Sequence, residues 1–323
     1  VDTSTALTNV FNGNNPRSVA SVDGSSFYVS GQGSGSDQTA GVFYAAKGAT
    51  AAIPITGDDT ATVKNGPRNI TQDTREVQIY DGQLFVSVDS KGGKDNARSF
   101  VGTLGAPGNL PTSLANGGAG PTMLPGFGNT GGTGKVVLNA NTANGVSLSG
   151  QEINLSPEDY FFANATTLYV ADSGNGKQDS AATHLGDGGL QKWSLVGGSW
   201  VLDYTLADGL DLVANTAASG TTGLFGLAGL VVGDEVELFA TNFTIGDTDQ
   251  TYLFGITDLL GATSRPSGES FTELAAAPAD TTFKGVSFAP LSVPEPQTWA
   301  LMISGVGLAG LALRRRRGQT AIA

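Results

Sequence analysis

The chain has 323 residues and a net charge of −12, with 39% hydrophobic but only 14% charged residues, and it contains 47 glycines. The hydrophobic content supports a folded core, the glycine content and low charge favour short strands with tight turns, and the acidic balance argues against nucleic-acid binding. There is no cysteine and a single histidine, His184, which excludes disulfides and thiolate metal sites and leaves histidine-based catalysis or metal binding without support.

The body of the chain repeats a turn followed by a strand that contains an aromatic residue. The four segments are 23–30, 81–87, 164–172 and 233–241, and their aligned aromatics are Tyr28, Phe85, Tyr169 and Phe239. A second aromatic follows fifteen residues later in three of the repeats, at Phe43, Phe100 and Phe254. In the third repeat, a longer loop that contains His184 displaces the partner strand to residues 189–193. This regularity predicts a repeat architecture with loops of unequal length.

Each repeat contains further strand-like segments. One precedes each aromatic strand, at residues 17–22, 75–80, 160–162 and 224–230, and an outer strand is predicted at residues 50–55, 200–206 and 271–276. Four-stranded antiparallel units in succession are typical of propeller blades. The sequence therefore predicts an all-β fold over residues 1–290, a β-propeller of four-stranded antiparallel blades. A β-sandwich is the alternative, and residues 105–149 are either a degenerate blade or a long surface insert.

One short segment of the third repeat resembles a known family. Leu168-Tyr-Val-Ala-Asp-Ser-Gly-Asn-Gly176 is similar to the inner-strand motif of NHL-type β-propellers. The resemblance covers nine residues of a single blade, and it implies an NHL-like propeller for the body.

The two ends of the body are predicted to be unpartnered strands. Residues 282–290 have the pattern of an inner strand with no further strands after it, and residues 1–7 have that of an outer strand with none before it. Because a propeller usually closes when its two termini complete one blade, we expect the fold to be incomplete at the N-terminus. The gene is expected to extend upstream of Val1 with a secretion signal and at least one more blade.

Acidic loops follow three of the aromatic strands, the third at residues 246–249, and the first two carry the candidate metal-site residues. Asp89 and Asp95 flank one loop, and Asp172 and Asp179 flank another. Carboxylates on glycine-containing turns can collect Ca²⁺, although neither loop matches the EF-hand pattern, and the same residues simply favour turns. No catalytic or other cofactor-binding residue is predicted. The carboxylate pairs Asp58–Asp59 and Glu158–Asp159 are the candidates for glycosidase chemistry.

The aromatic residues of the repeats are predicted to pack between blades rather than to form a platform for sugars. They are Phe27, Phe85, Tyr169 and Trp193.

The C-terminal segment, residues 291–323, differs in composition from the body. After Val293-Pro294-Glu295-Pro296, residues 298–313 carry no charge, and four basic residues follow at once, Arg314, Arg315, Arg316 and Arg317. A helix of sixteen residues spans about 24 Å, which crosses a bilayer only with flanking residues and local thinning. We predict a short transmembrane helix with Trp299 at one interface and the arginines on the cytoplasmic side.

This order of features resembles the PEP-CTERM sorting signal over residues 293–317. The resemblance implies export in a Gram-negative bacterium, retention in the inner membrane, and cleavage by an exosortase-type membrane protease. By that resemblance Pro294, Glu295 and Pro296 serve recognition and cleavage, while Arg314–Arg317 set the membrane orientation. The processed protein is then expected at the cell surface or in the extracellular matrix.

Two functions follow from these observations. The first is a non-catalytic binding or structural module at the cell surface, which presents an acidic face to polysaccharide, a cation or another protein. The second is a secreted propeller hydrolase or lyase that acts on polysaccharide or a phosphoester with carboxylate chemistry. Several carboxylates converging at the centre of the propeller would favour the enzyme, whereas a centre lined by Ser, Thr and Gly would favour the module.

Overall fold

The computed structural model describes most of the body of the chain. The described residues are 2–12, 14–33, 39–56, 60–63, 66–69, 73–91, 97–118, 120–127, 135–137, 142–143, 146–147, 152–174, 188–213, 220–246 and 249–289. Residues Val1–Val286 form one compact unit, and Ser287–Ala323 form a second.

The described residues of the body form four antiparallel four-stranded sheets that follow one another along the chain. Sheet 1 consists of β1 (Pro16–Ala20), β2 (Ser26–Gly31), β3 (Gly41–Ala46) and β4 (Ile53–Pro54), and a hairpin of β5 (Thr60–Val63) and β6 (Gly66–Asn69) follows it. Sheet 2 consists of β7 (Thr74–Tyr80), β8 (Gln83–Lys91), β9 (Ala97–Leu104) and β10 (Thr122–Met123), with a 3₁₀ turn at Asn116–Gly118 before β10.

Four short strands separate sheet 2 from sheet 3. They are β11 (Lys135–Val137), β12 (Thr142–Ala143), β13 (Val146–Ser147) and β14 (Glu152–Asn154), where β11 pairs with β14 and β12 with β13. Sheet 3 consists of β15 (Pro157–Asn164), β16 (Thr167–Asp172), β17 (Gly189–Val196) and β18 (Ser199–Leu206). Sheet 4 consists of β19 (Thr221–Val232), β20 (Glu235–Thr244), β21 (Tyr252–Leu259) and β22 (Thr272–Ala276).

The sheets pack in sequence through their first strands. Strand β1 contacts β7, β7 contacts β15, and β15 contacts β19, so these four are the inner strands of a propeller-like arrangement. The predicted all-β fold with four-stranded antiparallel units is confirmed. The β-sandwich alternative is wrong, because the body has four successive sheets rather than two facing ones.

Local sequence explains the hairpins that build these sheets. Tyr80 pairs with Gln83 across a two-residue turn, Asp81–Gly82, in which both residues have positive φ, 46° and 71°. That conformation defines the turn that matches the twist of a β-hairpin, and Asp-Gly is among the dipeptides that adopt it most readily. The aromatic strand β8 is therefore held against β7 by the residues predicted to form the turn.

Residues 105–149 are more than a surface insert. Strand β10, which completes sheet 2, lies within them, and Phe127 is fully buried with its ring 4.0 Å from that of Trp193 on β17. This stretch therefore supplies both the outer strand of one sheet and part of the core between sheets 2 and 3.

Both predicted terminal strands of the body need correction. Residues 2–7 form no strand, although the N–H of Ala6 donates to the carbonyl of Ala49 at 3.1 Å. Residues 281–289 form no strand either, although the N–H of Phe283 donates to Thr251 Oγ1 at 2.8 Å. Isolated hydrogen bonds of this kind place a segment beside a sheet without the continuous ladder that defines a strand.

The predicted membrane segment lies outside the described residues. Residues 298–313, Trp299, Arg314–Arg317 and the Pro294–Pro296 motif all fall in that part of the chain. Within the described ranges, no helix has both the length and the apolar character needed to cross a bilayer.

Candidate functional site

A buried charge network joins sheets 2 and 3 at one end of their inner strands. Arg75 on β7 is 4% exposed, and its Nη1 donates to Glu158 Oε2 on β15 at 2.6 Å. Its Nη2 donates to Asp73 Oδ2 at 3.0 Å and to Asp89 Oδ2 at 3.2 Å. Burial alone would lower the pKa of Arg75, but the charges of Glu158, Asp89 and Asp73 outweigh burial and raise it. Arg75 is therefore a fixed cation that holds three carboxylates.

Asp73 is the member of this network that connects it to sheet 1. It also contacts Arg17 of β1 at 3.4 Å. Burial raises its pKa to about 6, against the opposing charges of Arg75 and Arg17. The network thus extends from sheet 1 to sheet 3 and contains one carboxyl group that titrates in mildly acidic solution.

The two calcium candidates inside the described residues are buried acceptors. Asp89 is 6% exposed and accepts hydrogen bonds from Ser99 Oγ and Ser156 Oγ, each at 2.9 Å, in addition to Arg75. Asp172 is fully buried and accepts from three donors, Ser156 N at 2.9 Å, Gln191 Nε2 at 3.0 Å and Gly174 N at 2.7 Å. Both carboxylates therefore accept hydrogen bonds at the C-terminal ends of their strands, β8 and β16.

The remaining candidates lie largely outside the described residues. Asp95, Asp179, the Asp58–Asp59 pair and His184 all belong to that part of the chain. Within the described ranges, no group of three or more His, Cys, Asp or Glu side chains is arranged to hold a metal ion. A calcium site at the acidic loops stays a prediction.

A second polar cluster, the inner-strand carboxyl pair, is formed by Glu76 on β7 and Asp159 on β15. Asp159 Oδ1 accepts from the N–H of Tyr160 at 2.7 Å, and Asp159 Oδ2 accepts from the N–H of Leu227 on β19 at 2.7 Å. The Gln78 amide of β7 reaches β15, because its Nε2 lies 3.4 Å from Asp159 Oδ1 and 2.6 Å from the carbonyl oxygen of Tyr160.

Burial and mutual repulsion control the protonation of the pair. Burial raises the pKa of Glu76 to about 7, although hydrogen bonds from Ser18 and Gln78 oppose the shift. Burial, followed by the negative charge of Glu76, raises the pKa of Asp159 well above its ordinary value. Both shifts favour the protonated forms of the two carboxyl groups, and a general acid must be protonated before it acts.

Tyr160 adds an unsatisfied group beside this pair. Its side chain is fully buried, and its hydroxyl has no hydrogen-bond partner among the described residues. Burial raises the pKa of the hydroxyl, and the charges of Glu76 and Asp159 raise it further, which places the hydroxyl within the field of both carboxylates.

The sequence contained a signal for these inner-strand positions. Arg17, Arg75 and Glu158 each stand ten or eleven residues before the aligned aromatic of their repeat, and a polar residue follows each of them: Ser18, Glu76 and Asp159. Alignment of the repeats would have grouped these residues. The adjacent pair Glu158–Asp159 was the candidate instead, and the structure assigns its two members to different clusters.

A third cluster is buried between sheets 3 and 4. Lys192 on β17 is 1% exposed, and its Nζ donates to Asp258 Oδ2 on β21 at 2.9 Å. The hydroxyls of Tyr169 and Tyr204 donate to the same carboxylate at 2.5 and 2.6 Å. Tyr169 and Trp193 are both fully buried, as expected of aromatics that pack between sheets.

Comparison with known proteins finds one match in the C-terminal segment. Residues 292–317 match the family described as the PEP-CTERM protein-sorting motif. No curated protein sequence matches the chain. Among solved structures, the chain is similar to a GH43 endo-arabinanase from Bacillus licheniformis, with 16% identity, a TM-score of 0.40, and coverage of 84% of this chain and 82% of that chain. The chain is thus an exported protein that carries a PEP-CTERM sorting motif, the signal of an exosortase substrate held at the membrane before processing.

Proposed function

We propose that the protein acts at the cell surface or in the extracellular matrix of a Gram-negative bacterium, where its propeller-like body is a non-catalytic binding or structural module. The observation that carries the proposal is the PEP-CTERM motif at residues 292–317. A sorting motif of this kind specifies where the protein is delivered. Any activity of the protein at that destination must therefore come from its body.

The chemistry of the body supports a module. Asp89 and Glu158 form ion pairs with Arg75, and Asp172 accepts a hydrogen bond from the N–H of Ser156. These carboxylates therefore stabilise the sheets. The chain also carries a net charge of −12, which favours cationic partners, or polysaccharide bridged by cations, over nucleic acid.

The proposed order of events begins with membrane retention. In this proposal, residues 298–313 cross the membrane as a helix, with Trp299 at the outer interface and Arg314–Arg317 in the cytoplasm. An arginine costs about 2.5–3.5 kcal/mol at the bilayer centre, so the four arginines keep the helix from being pulled through. An exosortase-type protease then cleaves near Pro294, Glu295 and Pro296 and releases the body.

Cell fractionation tests this proposal. The chain is expressed behind a secretion signal in a bacterium with an exosortase and in the same strain without it. We expect the precursor to accumulate in the inner membrane only in the strain without the protease. A variant lacking residues 293–317 should be soluble outside the inner membrane in both strains, and replacing Arg314–Arg317 by glutamine should reduce retention. A fully soluble precursor, or a deletion variant that stays in the membrane, would contradict the proposal.

The alternative is a secreted hydrolase or lyase that acts on polysaccharide or a phosphoester. The inner-strand carboxyl pair is the observation that favours it, because a protonated carboxyl next to a second one can act as acid and base. Purified protein would then cleave bacterial exopolysaccharide or a phosphodiester, and Glu76→Gln would abolish cleavage. Activity that survives this change would exclude the pair as the catalytic groups.

A further inference from the structure

The ion pair of Lys192 and Asp258 holds an amine and a carboxyl group in contact at a place closed to solvent. The two side chains are 1% and 0% exposed, and Lys192 Nζ lies 2.9 Å from Asp258 Oδ2. Lys192 belongs to β17 of sheet 3 and Asp258 to β21 of sheet 4. Two charges removed from water are costly. Transfer of one proton from the ammonium to the carboxylate gives a neutral amine and a neutral acid, which are the reactants of amide formation.

Two tyrosines surround the reacting groups. The hydroxyls of Tyr169 and Tyr204 donate to the Asp258 carboxyl group at 2.5 and 2.6 Å, and their rings lie 5.5 and 5.4 Å from Lys192 Nζ. When an amine attacks a carboxyl carbon, negative charge develops on the carboxyl oxygen, and fixed hydroxyl donors stabilise that charge. The tyrosines therefore both enclose the amine and activate the acid.

A third acid, Glu269, lies beside Asp258 in the loop between β21 and β22. Its Oε2 is buried and has no hydrogen-bond donor among the described residues. The Glu269 carboxyl instead hydrogen-bonds the Asp258 carboxyl, and a hydrogen bond between two carboxyl groups requires a proton on one of them. Burial, followed by the hydrogen bond with Asp258 and its negative charge, raises the pKa of Glu269 to about 8, against the opposing charge of Lys192. Glu269 is therefore protonated at neutral pH and can transfer that proton.

We propose that Lys192 and Asp258 condense into an intramolecular isopeptide bond that joins sheets 3 and 4, with Glu269 as the proton-transfer group. The neutral Lys192 Nζ attacks Asp258 Cγ, and a C–N bond forms. Glu269 donates its proton to the departing carboxyl oxygen, one C–O bond breaks, and Glu269 then takes a proton from the nitrogen. The products are an amide and one water molecule. One positive and one negative charge disappear, and no oxidant, reductant or further reactant is consumed.

The folded structure favours the bond over the free ion pair. Lys192 and Asp258 are 66 residues apart in sequence, so folding brings them together and makes the reaction intramolecular, which raises its rate greatly. The closed surroundings also keep water from hydrolysing the amide. The chain contains no cysteine, so an exported body of this sequence has no disulfide to stabilise it. The ion pair is then the state that directly precedes the covalent bond.

Mass spectrometry of the full chain tests the proposal, independently of sorting. The intact mass of the folded protein should be lower than the sequence mass by one water molecule. A protease that cleaves after glutamate separates residues 159–235 from residues 238–269, and these two peptides should stay joined. The exposed pair of Lys47 and Asp2 is the internal control. Its Nζ–Oδ2 distance is 2.8 Å, but its side chains are 55% and 52% exposed, so residues 1–76 should show no loss of water.

Two variants test the roles of the reacting groups. Lys192→Arg keeps the positive charge, but a guanidinium group stays protonated, so this chain should keep the full sequence mass. Glu269→Gln keeps the shape of the side chain but cannot transfer the proton. The joined fraction at a fixed time after synthesis should therefore fall about tenfold or more, with an unchanged circular dichroism spectrum.

Three results would count against the proposal. A folded, unmodified chain that keeps its full sequence mass after days at neutral pH would overturn it. A loss of water that maps to an aspartate–glycine step such as Asp81–Gly82 would also overturn it, because such a loss reports a cyclised aspartate within one peptide. If folded Glu269→Gln is joined as fully as the unmodified chain, the role given to Glu269 is wrong.

Discussion

Replacing Lys192 by methionine tests how strongly buried charge holds sheets 3 and 4 together. Methionine keeps most of the aliphatic length of lysine but removes the ammonium group. The change deletes three contacts of Nζ, with Asp258 Oδ2 at 2.9 Å, Tyr204 Oη at 3.1 Å and the carbonyl of Leu259 at 2.6 Å. Asp258 is fully buried, so its carboxylate then stays in the core beside the hydroxyls of Tyr169 and Tyr204 and the Glu269 carboxyl, without the Lys192 ammonium.

The expected cost is large because the remaining charge has no solvent to compensate it. Removal of one partner of a buried ion pair costs about 3–5 kcal/mol, which is a large share of the 5–15 kcal/mol that stabilises a typical domain. Asp258→Asn should be destabilising for the same reason, since it leaves the Lys192 ammonium buried and unpaired. The double variant carries neither charge, so its loss should be smaller than the sum of the single losses by about 1–3 kcal/mol.

Urea denaturation of the full chain measures these free energies of unfolding. The unmodified protein, the two single variants and the double variant form a double-mutant cycle, with tryptophan fluorescence as the probe because Trp193 is adjacent to Lys192 on β17. A Lys192→Met loss below 1 kcal/mol, or single losses that simply add, would refute the reasoning that the ion pair joins the two sheets.

Two further predictions concern sheets 1 to 3. Burial raises the pKa of Asp73 to about 6 in the folded protein, so the folded state binds this proton more tightly than the unfolded state, and the associated stability is lost as pH rises from about 4 to about 6. The free energy of unfolding of the unmodified chain, relative to that of Asp73→Asn, should therefore fall by about 2–3 kcal/mol across that range. Urea denaturation at each pH measures this difference. A difference that does not vary with pH would contradict the prediction. Gly126→Ala should destabilise by about 2–4 kcal/mol, because φ is +89° and a Cβ would lie 2.0 Å from the carbonyl oxygen of Trp200. Gly48→Ala, with φ of +81° and open space around it, is the matched control with an expected cost of about 1 kcal/mol, and equal losses in thermal melting would show that the close approach has no effect.

The strands and their order were predictable because their signals are local. The Asp81–Gly82 turn, the aromatic strand after it, and the fifteen-residue interval to Phe100 all lie within one repeat. Register was less predictable. Phe43 pairs with the residue directly after its aligned aromatic, and so does Phe254, whereas Phe100 pairs with Val88, three residues after Phe85.

The surroundings of the acidic residues Asp89 and Asp172, in contrast, could not be predicted from local sequence. Asp89 and Asp172 were recognisable as strand-end carboxylates, and the sequence favoured an exposed turn or a cation for them. The structure buries both, because Arg75, Ser156 and Gln191 reach them from other parts of the chain. Both carboxylates thus accept hydrogen bonds from donors that are distant in sequence, and sequence spacing alone does not contain that information.

The sequence by itself determined the all-β class, the four repeats and the sorting segment at residues 292–317, because turn residues, alternation and an uncharged run before four arginines act over short distances. Only the tertiary structure decided which charges meet. Arg75 and Glu158 are 83 residues apart in sequence, and Tyr169 and Asp258 are 89 apart, yet each pair is in hydrogen-bond contact. The packing of one sheet on the next sets these partnerships.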